Sequence, residues 1–115
     1  MRENRGYMSD RIRQGRECSP RTLLQQIGHM NVLAISGGRW GAIRTDEGYP
    51  IGVVLPSSTN RVVEITLGGS DTYTVRRYRQ IVKGERRGDD VLEFDSAGVY
   101  CEEIGEVAYR ASVWQ

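Results

Sequence analysis

The stretch VVEITLGGSDTYTVRRYRQ, residues 62–80, decides the fold. Val63, Ile65 and Leu67 alternate with Val62, Glu64 and Thr66, the period-two pattern of a strand that buries one face. Gly68-Gly69-Ser70-Asp71 follows as a four-residue turn. The chain then returns with Tyr73, Val75, Arg77 and Arg79 on one face and Thr74, Arg76, Tyr78 and Gln80 on the other. A two-stranded hairpin is marginal alone in water, so it implies further strands beside it and a second layer over its apolar face.

Working outward, Ile51 to Leu55 reads as another strand, stopped by Pro56 and the polar loop Ser57-Ser58-Thr59-Asn60. Thr45-Asp46-Glu47-Gly48 is turn chemistry, and Ala42-Ile43-Arg44 before it reads as a short pairing segment. Val32-Leu33-Ala34-Ile35 is a short apolar run that reads as a buried strand, broken by Ser36 to Gly41. Ser19-Pro20 is a helix start, an N-cap hydroxyl followed by proline at the first helical position, and Leu23, Leu24 and Ile27 share one helical face that Gly28 ends as a left-handed (αL) residue. Downstream, Lys83 to Asp90 reads as a charged turn and Val91 to Phe94 as a last short strand. Tyr100, Ile104, Val107, Ala108 and Ala111 then follow a helical stripe, with Asp95 or Ser96 as its cap and Gly105 marking close packing on the sheet. The predicted fold is therefore α+β: a small antiparallel sheet of about four to six strands, with an N-terminal and a C-terminal helix packed on one face and the other face left open.

At 115 residues, with 38% apolar and 27% charged residues and a mean hydropathy of -0.51, the composition suits one soluble domain. Residues 1–17 carry few large apolar side chains and read as a flexible polar tail, leaving 18–115 as a single domain. No apolar run approaches the ~20 residues a membrane span needs, and no apolar segment follows the N-terminal arginines, so the expected location is the cytoplasm, away from membranes. Formal net charge is +1. Arg2, Arg5, Arg11, Arg13 and Arg16 against Glu3, Asp10 and Glu17 concentrate positive charge in the tail and leave the rest near neutral. That balance excludes a strongly basic nucleic-acid domain. Cys18 and Cys101 lack metal-ligand spacing and read as free thiols, and His29 reads as a helix-end residue. No metal, no cofactor and no catalytic constellation is legible.

Two segments could support binding. In Ser36-Gly37-Gly38-Arg39-Trp40-Gly41, Gly37 and Gly38 offer backbone N–H groups, Arg39 a cationic fork and Trp40 a stacking face, a set that suits a nucleotide-like ligand. The competing reading is a bulge in which glycine serves backbone geometry and Trp40 packs into the core. In Arg76-Arg77-Tyr78-Arg79, the residues Arg77, Tyr78 and Arg79 combine base-stacking and phosphate-pairing chemistry; the competing reading is charge that guards an edge strand.

Gln26-Ile27-Gly28 followed by Val32-Leu33-Ala34-Ile35-Ser36-Gly37 resembles a family of small uncharacterised proteins of bacteriophages and other mobile elements, with the pattern Q-[IL]-G-x-x-x-[FV]-[IL]-A-[IM]-[ST]-G. Leu55-Pro56, Val63 to Leu67, Asp71 to Val75 and Gly98-Val99-Tyr100 extend the likeness across most of residues 23 to 111. Met30-Asn31 and Ala108-Tyr109-Arg110-Ala111 are similar to actinobacterial phage members; Arg39 and Trp40 depart from the Lys and Asn seen in others. The resemblance implies a phage accessory protein in the host cytoplasm that acts by stoichiometric binding, with counter-defence as one such role. A nucleotide-like or phosphate-bearing small molecule is the favoured partner. Single-stranded nucleic acid and a host protein to be inhibited are the alternatives, and assembly into a homo-oligomer is left open.

Overall fold

The pairing of residues 61–67 with residues 73–79 organises the computed structural model, which describes residues 15–80, 82–83, 86–87 and 90–115. In chain order the elements are α1 (Pro20–Ile27), α2 (His29–Ser36), β1 (Gly41–Arg44), β2 (Pro50–Pro56), β3 (Arg61–Leu67), β4 (Tyr73–Arg79), the two-residue strands β5 (Val82–Lys83) and β6 (Arg86–Arg87), β7 (Val91–Val99) and α3 (Ile104–Ser112). Strands β1-β2-β3-β4-β7 form one sheet in that order, antiparallel throughout, while β5 and β6 pair only with each other. The expected α+β architecture holds, with helices at the N-terminal and C-terminal ends of the domain.

One face of the sheet carries the main core. Val53, Leu55, Val63, Ile65, Tyr73, Val75 and Val99 meet Leu23 and Ile27 of α1, Val32 and Ile35 of α2, and Ile104, Val107, Ala108 and Ala111 of α3. The Ser19 side chain accepts from the Thr22 N–H at 3.3 Å, the cap that its pairing with Pro20 implies. The helix α3 runs close enough to α1 that a Cβ on Gly105 would overlap the Ile27 carbonyl. Gly105 thus serves helix-on-helix approach, where close packing on the sheet was expected.

Four expectations are corrected. Val32 to Ile35 is part of α2 and not a strand. Val32 and Ile35 are buried while Leu33, Ala34 and the 75% exposed Met30 face outward, so α2 is apolar on both sides and its helical period is hidden. The last strand runs nine residues to Val99, with Asp95 paired to Arg76 inside it; α3 starts only at Ile104, and Tyr100 is exposed. Third, Gly28 ends α1 at φ 99 and ψ 136, a positive-φ conformation outside the left-handed helical region. Finally, the second face of the sheet is not open at its centre. Ile43, Ile51, Val54, Val62 and Tyr78 form a second buried cluster. The adjacent pairs Val53-Val54 and Val62-Val63 place apolar groups on both faces of the central strands, the pattern of a sheet covered on both sides.

Residues 1–14 of the expected tail lie outside the described residues. Its end is held against the sheet: the Arg16 N–H donates to Leu67 O at 2.8 Å, the Arg16 side chain pairs with Asp71, and just beyond it the Cys18 N–H donates to Pro50 O at 3.0 Å. No helix among the described residues is long and apolar enough to cross a membrane.

Replacing Gly105 with alanine separates propensity from packing. Propensity favours Ala by about 1 kcal/mol, whereas forcing a methyl against a backbone carbonyl costs about 1–3 kcal/mol. The expected result is a net loss, read as a fall in thermal midpoint of several degrees. An unchanged or raised midpoint would show that α1 and α3 separate freely.

Candidate functional site

The β3–β4 register sets Arg61 directly opposite Arg79. Like charges at facing positions destabilise a sheet unless something bridges them. Glu93 of β7 is the bridge. Its Oε1 accepts from Arg61 Nε at 3.0 Å and from Arg77 Nη2 at 3.1 Å, and its Oε2 pairs with Arg79 Nε at 3.4 Å. Three guanidinium groups share one carboxylate, and the four side chains together carry a charge of +2.

Arg77 is the deepest of the three, its side chain only 7% exposed. It lies on the helix-covered face with Tyr73 and Val75, and its Nη1 donates to Ser112 O at 3.4 Å, at the C-terminal end of α3. The partial negative charge of that helix end favours a cation there. Its Nε is buried with no hydrogen-bond partner, a cost normally avoided in a folded core.

Beside this cluster opens a cleft of about 560 Å³, within the range of small-molecule sites. Ser58 and Arg61 line it at the β2–β3 connection, Arg77 and Glu93 from β4 and β7, and Ser112 to Gln115 from the end of the chain. Trp114 is half exposed and touches Phe94 edge to face, with ring centroids 5.1 Å apart at 67°. An indole with free surface beside guanidinium donors can stack on an aromatic ring while the arginines hold an oxyanion.

Of the residues singled out from sequence, Arg77 lines the cleft and Arg79 approaches Glu93 from outside it. Tyr78 points the other way, buried in the second core cluster opposite Val62. Gly37, Gly38, Arg39 and Trp40 are not among the cleft residues. The amides of Gly37 and Gly38 cap α2, donating to Leu33 O and Val32 O, with Gly37 in the left-handed conformation at φ 66; the Arg39 N–H donates to Ser36 O. The Gly37 and Gly38 N–H groups expected to face a ligand are thus spent on the end of the helix. Arg39 is exposed, with its Nε 3.3 Å from Ser36 O, and Trp40 is half-buried against the main core. Arg61, Glu93 and Trp114 were not identified from sequence as site residues.

Both thiols are disfavoured as nucleophiles. Burial, then the nearby Glu17 charge, pushes Cys18 up from the ordinary thiol range, and Cys101 is raised chiefly by its hydrogen bond to the Glu102 carboxylate. Tyr73 is also raised, mainly by burial, and donates its hydroxyl to Gln26 Oε1 at 2.7 Å. Among the described residues no cluster of His, Cys, Asp and Glu could hold a metal ion. No family model, curated protein or solved structure matches this chain.

The site and the surface should differ in energy. Glu93→Ala leaves Arg77 buried without its carboxylate and should cost about 3 kcal/mol. Asp95→Ala removes only a half-exposed partner of Arg76 and should cost less than about 1 kcal/mol. Denaturant unfolding of both variants measures this; equal losses would mean that the three-arginine cluster is no more demanding than a surface ion pair.

Proposed function

We propose that this is a binding protein whose ligand presents a phosphate or similar oxyanion next to an aromatic ring, a nucleotide-like small molecule held in the Arg61–Arg77–Trp114 cleft. The observation that carries the reading is the Arg61–Arg79 facing pair with Arg77 beside it, three cations for one carboxylate. Stability alone does not favour such an arrangement, and sequences break local rules of this kind where a site requires it. The cleft supplies room and Trp114 supplies a stacking surface.

The resemblance to mobile-element proteins supplies the setting for this proposal: an accessory protein that sequesters its ligand one to one in the host cytoplasm, including in defence against the host. Burial of Tyr78 weighs against an Arg/Tyr strand that stacks successive bases of a single strand.

Titration calorimetry with nucleoside monophosphates at low salt tests the proposal. Arg61→Ala should weaken binding by about 1.5–3 kcal/mol, the value of a charge-assisted hydrogen bond. Trp114→Ala should weaken it by about 1–3 kcal/mol, while costing no more than about 1.5 kcal/mol of stability through the lost Phe94 contact. Wild-type protein that binds neither nucleotides nor inorganic phosphate at millimolar concentration would overturn the reading.

A further inference from the structure

The arrangement of charge around Glu93 bears on which phosphate the cleft would accept, an inference that rests on the binding reading above. Arg79 meets Glu93 at Oε2 and is not among the cleft residues, whereas Arg61 and Arg77 meet it at Oε1 and line the cleft. The Arg79 charge therefore offsets the carboxylate without lining the cavity. Glu93 itself lines the cavity between Arg61 and Arg77, and with Arg79 counted the cluster beside the cavity keeps a net charge of +2. The other side chains of the lining, those of Ser58, Ser112, Val113, Trp114 and Gln115, are neutral.

Donor geometry agrees with this division. Glu93 engages Arg61 and Arg79 through their Nε atoms, and no contact among the described residues occupies the Nη groups of Arg61. Arg77 is nine-tenths buried, so water screens its charge poorly, and it keeps an unpartnered Nε. A buried cation fixed by a carboxylate and a helix end cannot turn away into solvent. The site is thus preset for an anion of matching charge.

We infer that the cleft selects a terminal phosphate, a monoester carrying two negative charges near neutral pH, over a phosphodiester, which carries one. Arg79 sets that preference without touching the ligand. A terminal phosphate next to an aromatic ring is common to mononucleotides and to phosphorylated tyrosine. The size of the cleft and the half-exposed Trp114 indole favour the mononucleotide.

The test compares adenosine 5′-monophosphate with adenosine 3′,5′-cyclic monophosphate, which share base and sugar and differ in phosphate charge. O-phosphotyrosine serves as the second source of the same dianion. Wild-type protein should bind the 5′-monophosphate at least about tenfold more tightly than the cyclic compound, roughly a 1.4 kcal/mol difference. Arg79→Gln should bring that ratio to within about threefold while circular dichroism and thermal midpoint confirm a folded chain. Tighter binding of O-phosphotyrosine than of the 5′-monophosphate would keep the dianion preference and overturn the choice of mononucleotide. Equal affinity for the two adenosine compounds, or a ratio unmoved by Arg79→Gln, would overturn the inference and leave the binding reading standing. Binding of none of the three, nor of inorganic phosphate, would overturn both.

Discussion

The Gly68 N–H donates to Thr72 O at 2.8 Å, closing the turn between β3 and β4 with Asp71 at φ 60. That closure fixes which residue of β3 faces which residue of β4, and the rest of the sheet inherits the choice. Leu67 faces Tyr73, and six residues on Arg61 faces Arg79. The β4–β7 pairing continues the sheet outward, with two irregularities, and brings Phe94 opposite Arg77 so that Glu93 lies within reach of all three arginines. A slip of one residue at the turn would turn every side chain of one strand to the other face and disperse the cluster.

Such a cluster needs a rigid frame. Removing Arg77 from water is costly, and its attraction to Glu93 offsets that only when geometry and further hydrogen bonds are good. The frame is the two-sided burial of β2 and β3, where Val53, Val54, Val62 and Val63 are all fully buried. Apolar area on both faces of the central strands contributes about 25 cal/mol per Å² removed from water, enough across many side chains to tolerate one unpartnered guanidinium nitrogen. The end of α3 then completes the cleft: the Ser112 carbonyl accepts from Arg77, and the residues just past it deliver Trp114 to Phe94.

Much of the architecture was legible because it rests on local signals. The alternation in residues 62–67, the Ser19-Pro20 start and the stripe from Ile104 to Ala111 each report one element by period or cap. What escaped has a physical reason in each case. The helix α2 is apolar on both its buried and its exposed sides, so neither a helical nor a strand period stands out. Gly37 and Gly38 carry the composition of an anion loop but cap a helix, a distinction that only hydrogen-bond partners reveal. The arginine cluster depends on a single residue in the turn. A four-residue turn over Gly68 to Asp71 would place Arg61 opposite Tyr78, an ordinary pair; the observed turn includes Thr72 and places it opposite Arg79. Trp114, twenty-one residues after Glu93, reaches the site only through the docking of α3.

The order of the sheet also shapes how the molecule is made. Strands β1, β2, β3, β4 and β7 pair only with sheet neighbours that are also successive in the chain, apart from the short β5–β6 excursion. Contacts between neighbours in sequence close small loops and form fast. The approach of Gly105 to Ile27 is different, joining the first helix to the last across some eighty residues. During synthesis the meander can pair as it emerges, but the main core lacks one wall until α3 appears. Until then, Leu23, Ile27 and the helix-facing valines of the sheet have nothing from that end of the chain to cover them. Folding of this domain is thus complete only after translation has passed α3, and the cleft beside Glu93 forms no earlier than that helix docks.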